Sequence, residues 1–259
     1  MTKLKTYVIN IDCEILRYSM FLDKNKHMAD LLDFEHITPL STTSKEVVEG
    51  LRRCASRSAQ FKKSAEVSNR LTMGLALDKA IAQDFDLVLI LEDDAVFIKD
   101  APSLLRGILD SIPKDMQCCY LGGYPKDFPS ESMVPVSKHV FRLRENKRYR
   151  LWGAHAIVYN KDGMEEMSQA FKSSNMLADT AVVNAIIKKG KGGIVYPLIS
   201  FQKAEFIPAT KFSTNMHGSF PFKEMESTGN KIIIKQLNSL TDSTKKEYDL
   251  YNISGIIKK

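Results

Sequence analysis

The 259-residue chain is poor in several things, and each shortage excludes something. It has only four cysteines, Cys13, Cys54, Cys118 and Cys119, with no C-x-x-C pair among them, so neither a zinc-type site nor a dense disulfide framework is written into it. Cys118 and Cys119 are adjacent in an apolar stretch and read as reduced core residues. No apolar run approaches the ~20 residues of a membrane span. The opening stretch, Met1 to Ile9, is too short in apolar length for a signal peptide, because Asn10 and Asp12 follow at once. The expectation is a cytoplasmic chain with no transmembrane segment. Charge of one sign is also in short supply: the formal net charge is only +6. That suits a small anionic ligand, whereas nucleic acid requires a concentrated basic stripe. The densest basic stretch, Arg142, Arg144, Lys147, Arg148 and Arg150, is interrupted by Glu145 and reads as a solvated loop, so no nucleic-acid partner is expected. There is no internal repeat, no low-complexity segment and a single tryptophan, Trp152.

What is present is organised around Phe85 to Phe97. Five apolar residues, Leu87 to Leu91, run straight into Glu92, Asp93 and Asp94. Such a run suits a strand buried on both faces, as in a parallel sheet. The acids then belong where the strand leaves the sheet, which is where open α/β sheets bind ligands. Packed carboxylates repel one another unless a cation neutralises them, and hard oxygen ligands select Mg²⁺ or Mn²⁺. The stretch therefore reads as a metal–diphosphate site, with a solvated, ligand-free turn as the plain alternative.

The remaining chain supplies an α/β alternation. Tyr7 to Asp12 is a first strand ending in polar residues, and Arg17 follows; Asn10 and Asp12 could accept hydrogen bonds from a nucleotide while Arg17 pairs with its phosphates, or all three could be caps and surface charges. Ile37 to Leu40 reads as an edge strand, residues 45–58 and Ser64 to Gln83 as helices, and Pro102 after Asp100 as the start of another. Met116 to Leu121 reads as a strand closed by Gly122-Gly123, a pair that marks a turn or a close approach to a ligand. Residues 124–150 read as a long loop over the site. Trp152 to Tyr159 is a strand; Trp152 beside Gly153 suits stacking on a sugar face and His155 lies on the same strand, with core packing the other reading for both. Asp179 sits where a helix N-cap belongs, a position that also keeps a carboxylate ionised and able to act as a general base. Ile194 to Ile199 is a further strand. His217, in a polar loop, is an ordinary surface histidine or the completion of a metal shell.

These residues resemble a known family. Val8-Ile9-Asn10-Ile11-Asp12 with Arg17 is similar to the opening of the lipooligosaccharide-type glycosyltransferases, family 25. The helix with Ser68 that leads into Leu89-Ile90-Leu91-Glu92-Asp93-Asp94-Ala95 resembles that family's hallmark stretch, and Trp152 to Gly163, Ala178-Asp179 and Tyr196-Pro197 follow in the family's order. The resemblance covers roughly residues 5–205. It implies a GT-A-like, Rossmann-type open mixed sheet flanked by helices, a nucleotide-sugar donor (a UDP-sugar foremost), Mn²⁺ or Mg²⁺ as cofactor, and inverting transfer. It further implies Glu92 and Asp94 as the outer acids of a D-x-D-like motif, with Asp94 the better metal ligand and His217 a late one. By the same resemblance Asp93 holds ribose or supports the ligands and Asp179 is the base; Asn10, Asp12, Arg17 and Ser68 are expected to contact the donor, and Trp152 and His155 the acceptor. One departure stands out: where the family often has Ser-His before the motif, this chain has Ser68-Asn69.

The expectation is thus a GT-A glycosyltransferase domain over residues 1–222, with residues 223–259 as an extension packed on it. It is expected to act as a hexosyl- or pentosyltransferase on a glycan or glycoprotein acceptor. The alternative is a non-catalytic nucleotide-sugar or glycan-binding module of the same fold. A phosphatase of the haloacid dehalogenase type also places acid-x-acid after a strand, but its nucleophile must be aspartate, and Glu92 occupies that position.

Overall fold

In the computed structural model, which describes residues 3–9, 15–55, 64–126, 132–145, 150–196 and 198–202, the apolar run is strand β3 (Leu87–Glu92), with every residue from Val88 onward buried. Continuous rather than alternating burial means that both faces of the strand are covered. β1 (Leu4–Ile9) lies parallel to β3 on one side, and β2 (Leu32–Ile37) lies parallel to β1 beyond it. On the other side β8 (Arg150–Asn160) runs antiparallel to β3. Beyond β8 come β5 (Cys118–Lys126), β9 (Gly192–Val195), β7 (Val140–Leu143) and β6 (Met133–Pro135), giving the order β2-β1-β3-β8-β5-β9-β7-β6. A second, two-stranded sheet joins β4 (Ala95–Phe97) to β10 (Ser200–Gln202). Both parallel and antiparallel pairs occur, so the sheet is mixed, and helices flank it. The α/β class and the GT-A-like, Rossmann-type open arrangement are as expected.

The helices are α1 (Ile15–Lys24), α2 (Lys45–Ala55), α3 (Ser64–Ala82), α4 (Ala101–Ser111), α5 (Lys161–Ser173) and α6 (Ala178–Ala185). α3 is buried around most of its circumference, because it packs on α2, on α5 and on the sheet. Its fully buried Arg70 donates from Nη1 to the carbonyls of Phe171, at 2.5 Å, and Ser174. A cation thus closes the carbonyl end of α5, the favourable pole for positive charge. The α4 start signal holds: Asp100 is the N-cap and proline lies in the first turn. Among the described residues no helix is long and apolar enough to cross a membrane.

Four expectations are corrected. The edge strand is Leu32–Ile37, not Ile37 to Leu40; Pro39 lacks the N–H that continued pairing requires. Residues 124–150 are not one loop: β5 continues to Lys126, and β6 and β7 form the far edge of the sheet, with Val140, Phe141 and Leu143 buried. Ile194 to Ile199 is not one strand but the end of β9 and the approach to β10. Gly122 and Gly123 lie inside β5, at an irregularity in its pairing with β8. A side chain at Gly122 would put Cβ 2.5 Å from both His155 Nε2 and the Ser200 carbonyl. The close approach there is made by the protein's own imidazole and backbone. The boundary at 222/223 and the extension 223–259 fall outside the described residues.

Candidate active site

The acids sit where the pairing of two strands ends. Ile9 of β1 is in register with Glu92 of β3, and the Asp93 amide donates to the Ile9 carbonyl at 2.9 Å. The chain then turns through Asp93 and Asp94 into β4. β4 is held on two sides, by β10 and by a side chain that imitates a strand. Asn25, fully buried after α1, donates from Nδ2 to the Ala95 carbonyl at 2.9 Å and accepts the Phe97 N–H on Oδ1 at 2.9 Å. His27 Nε2 lies 3.1 Å from the Ile98 carbonyl. The acidic turn is therefore clamped before and after.

All three carboxylates are buried. Asp93 forms an ion pair with Arg17 of α1, Nη2 to Oδ1 at 2.6 Å, and its side chain has no solvent exposure. Glu92 Oε1 accepts a hydrogen bond at 3.0 Å from Nδ2 of Asn69, which projects from α3. Burial and then the charge of Asp94 push the Glu92 carboxyl up to about 8, against the Asn69 hydrogen bond; Asp93 and Asp179 add smaller upward pushes. The influence of Asp179 brings it into the same electrostatic neighbourhood.

Asp179 does not cap its helix. Leu177 is the N-cap of α6, and Asp179 lies in the first turn. Its carboxylate accepts the Thr180 N–H at 2.6 Å on Oδ1 and the Gly153 N–H at 3.3 Å on Oδ2. Burial raises its pKa, and these hydrogen bonds oppose the rise. Gly153 has φ +77°, a left-handed conformation that favours glycine, and through it β8 reaches Asp179. Because β8 is antiparallel to β3, with Ala156 opposite Leu91, its first residues run past the end of β3. Trp152, half-buried, thus stands on the acid side of the sheet.

The structure thus brings together Arg17, Glu92, Asp93, Asp94 and Asp179, with Trp152 beside them. Ser68 is fully buried, and its hydroxyl donates to the Leu40 carbonyl at 2.5 Å, tying that segment to α3. His155 is fully buried against Gly122; burial lowers its pKa to about 4. Asn10, Asp12 and His217 lie outside the described residues. Sequence reasoning missed Asn69 and Asn25 as members of the site. Asn69 is a polar residue in an otherwise buried stretch of α3, a signal that was available, whereas Asn25 lies among exposed residues and offered none.

The donor set fits a hard divalent cation. Two buried carboxylates, Glu92 and Asp94, offer oxygen only, and Mg²⁺-type sites commonly use one or two carboxylates together with substrate phosphates. Among the described residues, no group of three or more His, Cys, Asp or Glu is arranged to hold a metal by itself.

No protein-family model matches the chain, and no curated protein does. Solved structures with a similar chain path include the mannose-1-phosphate geranyltransferase from Thermus thermophilus, at 11% identity over 75% of this chain and 74% of that one, with a TM-score of 0.41. A glycosyltransferase involved in the glycosylation of the major capsid of PBCV-1 is similar at 9% identity over 78% and 93%, TM-score 0.41. The CMP:2-keto-3-deoxy-manno-octonic acid synthetase complexed with CTP is similar at 13% identity over 75% and 88%, TM-score 0.39. Likenesses this distant leave the chemistry to be argued from the site itself.

Proposed function

We propose that the chain is a metal-dependent glycosyltransferase. It moves a sugar from a nucleotide-diphosphate donor, a UDP-sugar foremost, to a hydroxyl of a glycan or glycoprotein acceptor, with inversion. The observation that carries this reading is the convergence of the buried Glu92 and Asp94, from β3 and the acidic turn, with the half-buried Asp179 of α6, at one end of a Rossmann-type sheet. Glu92 and Asp94 would hold Mn²⁺ or Mg²⁺, which when bound neutralises charge on a departing diphosphate.

The protein's own residues do the rest. Arg17 neutralises Asp93, so that one of the three consecutive acids is settled within the fold. Asp179 takes the proton of the acceptor hydroxyl as its oxygen bonds to the anomeric carbon; the bond from that carbon to the diphosphate breaks, and the nucleoside diphosphate leaves with the electron pair. Burial raises the proton affinity of Asp179, and the N–H groups of Gly153 and Thr180 hold its carboxylate in one orientation. Trp152, next in the chain to Gly153, is the aromatic residue for a sugar ring in this reading.

Calorimetric titration with UDP, with and without Mn²⁺, tests the donor half. Binding should require the metal and be lost in Asp94→Ala; binding indifferent to both would refute the site. For the acceptor half, Asp179→Asn should lower transfer by about 10²–10⁴-fold while donor binding persists. Unchanged turnover would remove Asp179 from the mechanism.

A further inference from the structure

The two ends of the Asn69 amide meet different fates. Nδ2 donates to Glu92 Oε1 at 3.0 Å. Oδ1 is buried and, among the described residues, accepts no hydrogen bond, although the residue as a whole is only 9% exposed. Both atoms hang from one carbon, so the unmet oxygen lies next to the nitrogen that rests on Glu92. An unmet amide oxygen inside a protein is costly, and in native structures such a group marks strain, a functional role or a bound water or ion.

We propose that Asn69 is a positioning residue of this site. Its N–H arm holds Glu92 in a single orientation, and its Oδ1 accepts an O–H from the bound ligand. This rests on the reading of Glu92 and Asp94 as cation ligands. The O–H comes either from water on the metal or from a hydroxyl of the nucleotide.

Mn²⁺ affinity, measured by electron paramagnetic resonance of the free ion, tests the first arm. Asn69→Ala should weaken Mn²⁺ binding by about 10–100-fold, the usual loss when a partner behind a metal ligand is removed. Asn69→Ser, a milder truncation, should show the same loss should the alanine variant fold poorly. UDP affinity at saturating Mn²⁺ separates the two sources. A wild-type preference for UDP over its 2′- or 3′-deoxy analogue that Asn69→Ala abolishes assigns the O–H to the nucleotide; no such preference assigns it to metal-bound water.

Melting curves without metal complete the test. A residue that only packs would lower the melting temperature and leave the Mn²⁺ affinity of the folded protein within about threefold of wild type, which would overturn the inference alone. Wild-type protein that binds no Mn²⁺ would overturn the cation reading and this inference with it.

Discussion

Asn25 offers the sharpest test of how the acidic turn is held. Its side chain makes three buried hydrogen bonds: Nδ2 to the Phe21 carbonyl at 3.0 Å and to the Ala95 carbonyl at 2.9 Å, and Oδ1 from the Phe97 N–H at 2.9 Å. The backbone there, φ −104° and ψ 13°, suits alanine, so Asn25→Ala adds no strain. What it does is leave the Ala95 carbonyl and the Phe97 N–H facing a dry space. Each unmet buried group costs about 1–3 kcal/mol, so the variant should lose roughly 3 kcal/mol. At the usual urea dependence of about 1–3 kcal/mol per molar, the unfolding midpoint should fall by about 1 M or more with little change in slope. Asn25→Asp should do no better, because it keeps the acceptor for Phe97 but sets an oxygen against the Ala95 carbonyl. Circular dichroism during urea titration reads both variants. A loss below about 1 kcal/mol in Asn25→Ala would refute the claim that this side chain serves as a second neighbour of β4.

Two further expectations follow from buried charge and buried imidazole. Arg17→Met leaves the Asp93 carboxylate inside the protein without its ion pair and should cost about 3 kcal/mol by urea unfolding; an equal cost in an Asp93→Asn background would show that the pair is not the source. His155 is held neutral, with its pKa lowered by burial from the ordinary 6.5 to about 4. Below about 6.5 the unfolded chain takes up a proton that the folded chain refuses, so this contribution is intact above that pH and is lost as pH falls toward 4, by about 3 kcal/mol in full. Stability measured between pH 7 and 4.5 should therefore fall less steeply in His155→Gln than in wild type, and identical slopes would contradict the assignment.

The parts of the fold legible in the sequence are those whose environment is uniform along the chain. Leu87 to Leu91 is buried on both faces, and α3 on most sides, so each announces itself by composition. The misreadings have local causes. β7 is short and followed by charged residues, so Val140, Phe141 and Leu143 do not stand out until β9 pairs with them. β2 carries a legible period of two, Leu32-Asp33-Phe34-Glu35, but Thr38-Pro39 drew the boundary too late. Gly122-Gly123 resembles a strand end because glycines end strands, yet the room Gly122 leaves is filled by His155 from a neighbouring strand. In the site, the three consecutive acids were legible because they follow a core strand. The Asn69–Glu92 and Asn25–β4 contacts were not, because each partner is chosen by tertiary packing rather than by any local pattern.

The Arg17–Asp93, Gly153–Asp179 and Asn69–Glu92 partners lie 76, 26 and 23 residues apart in the chain. During synthesis the acidic turn and its arginine emerge well before Asp179. A chain halted short of α6 would carry every acid proposed for the donor and lack the one proposed for the acceptor. The groups proposed for donor and acceptor thus emerge at different times, and the acidic turn gains its β10 neighbour only after α6 is complete.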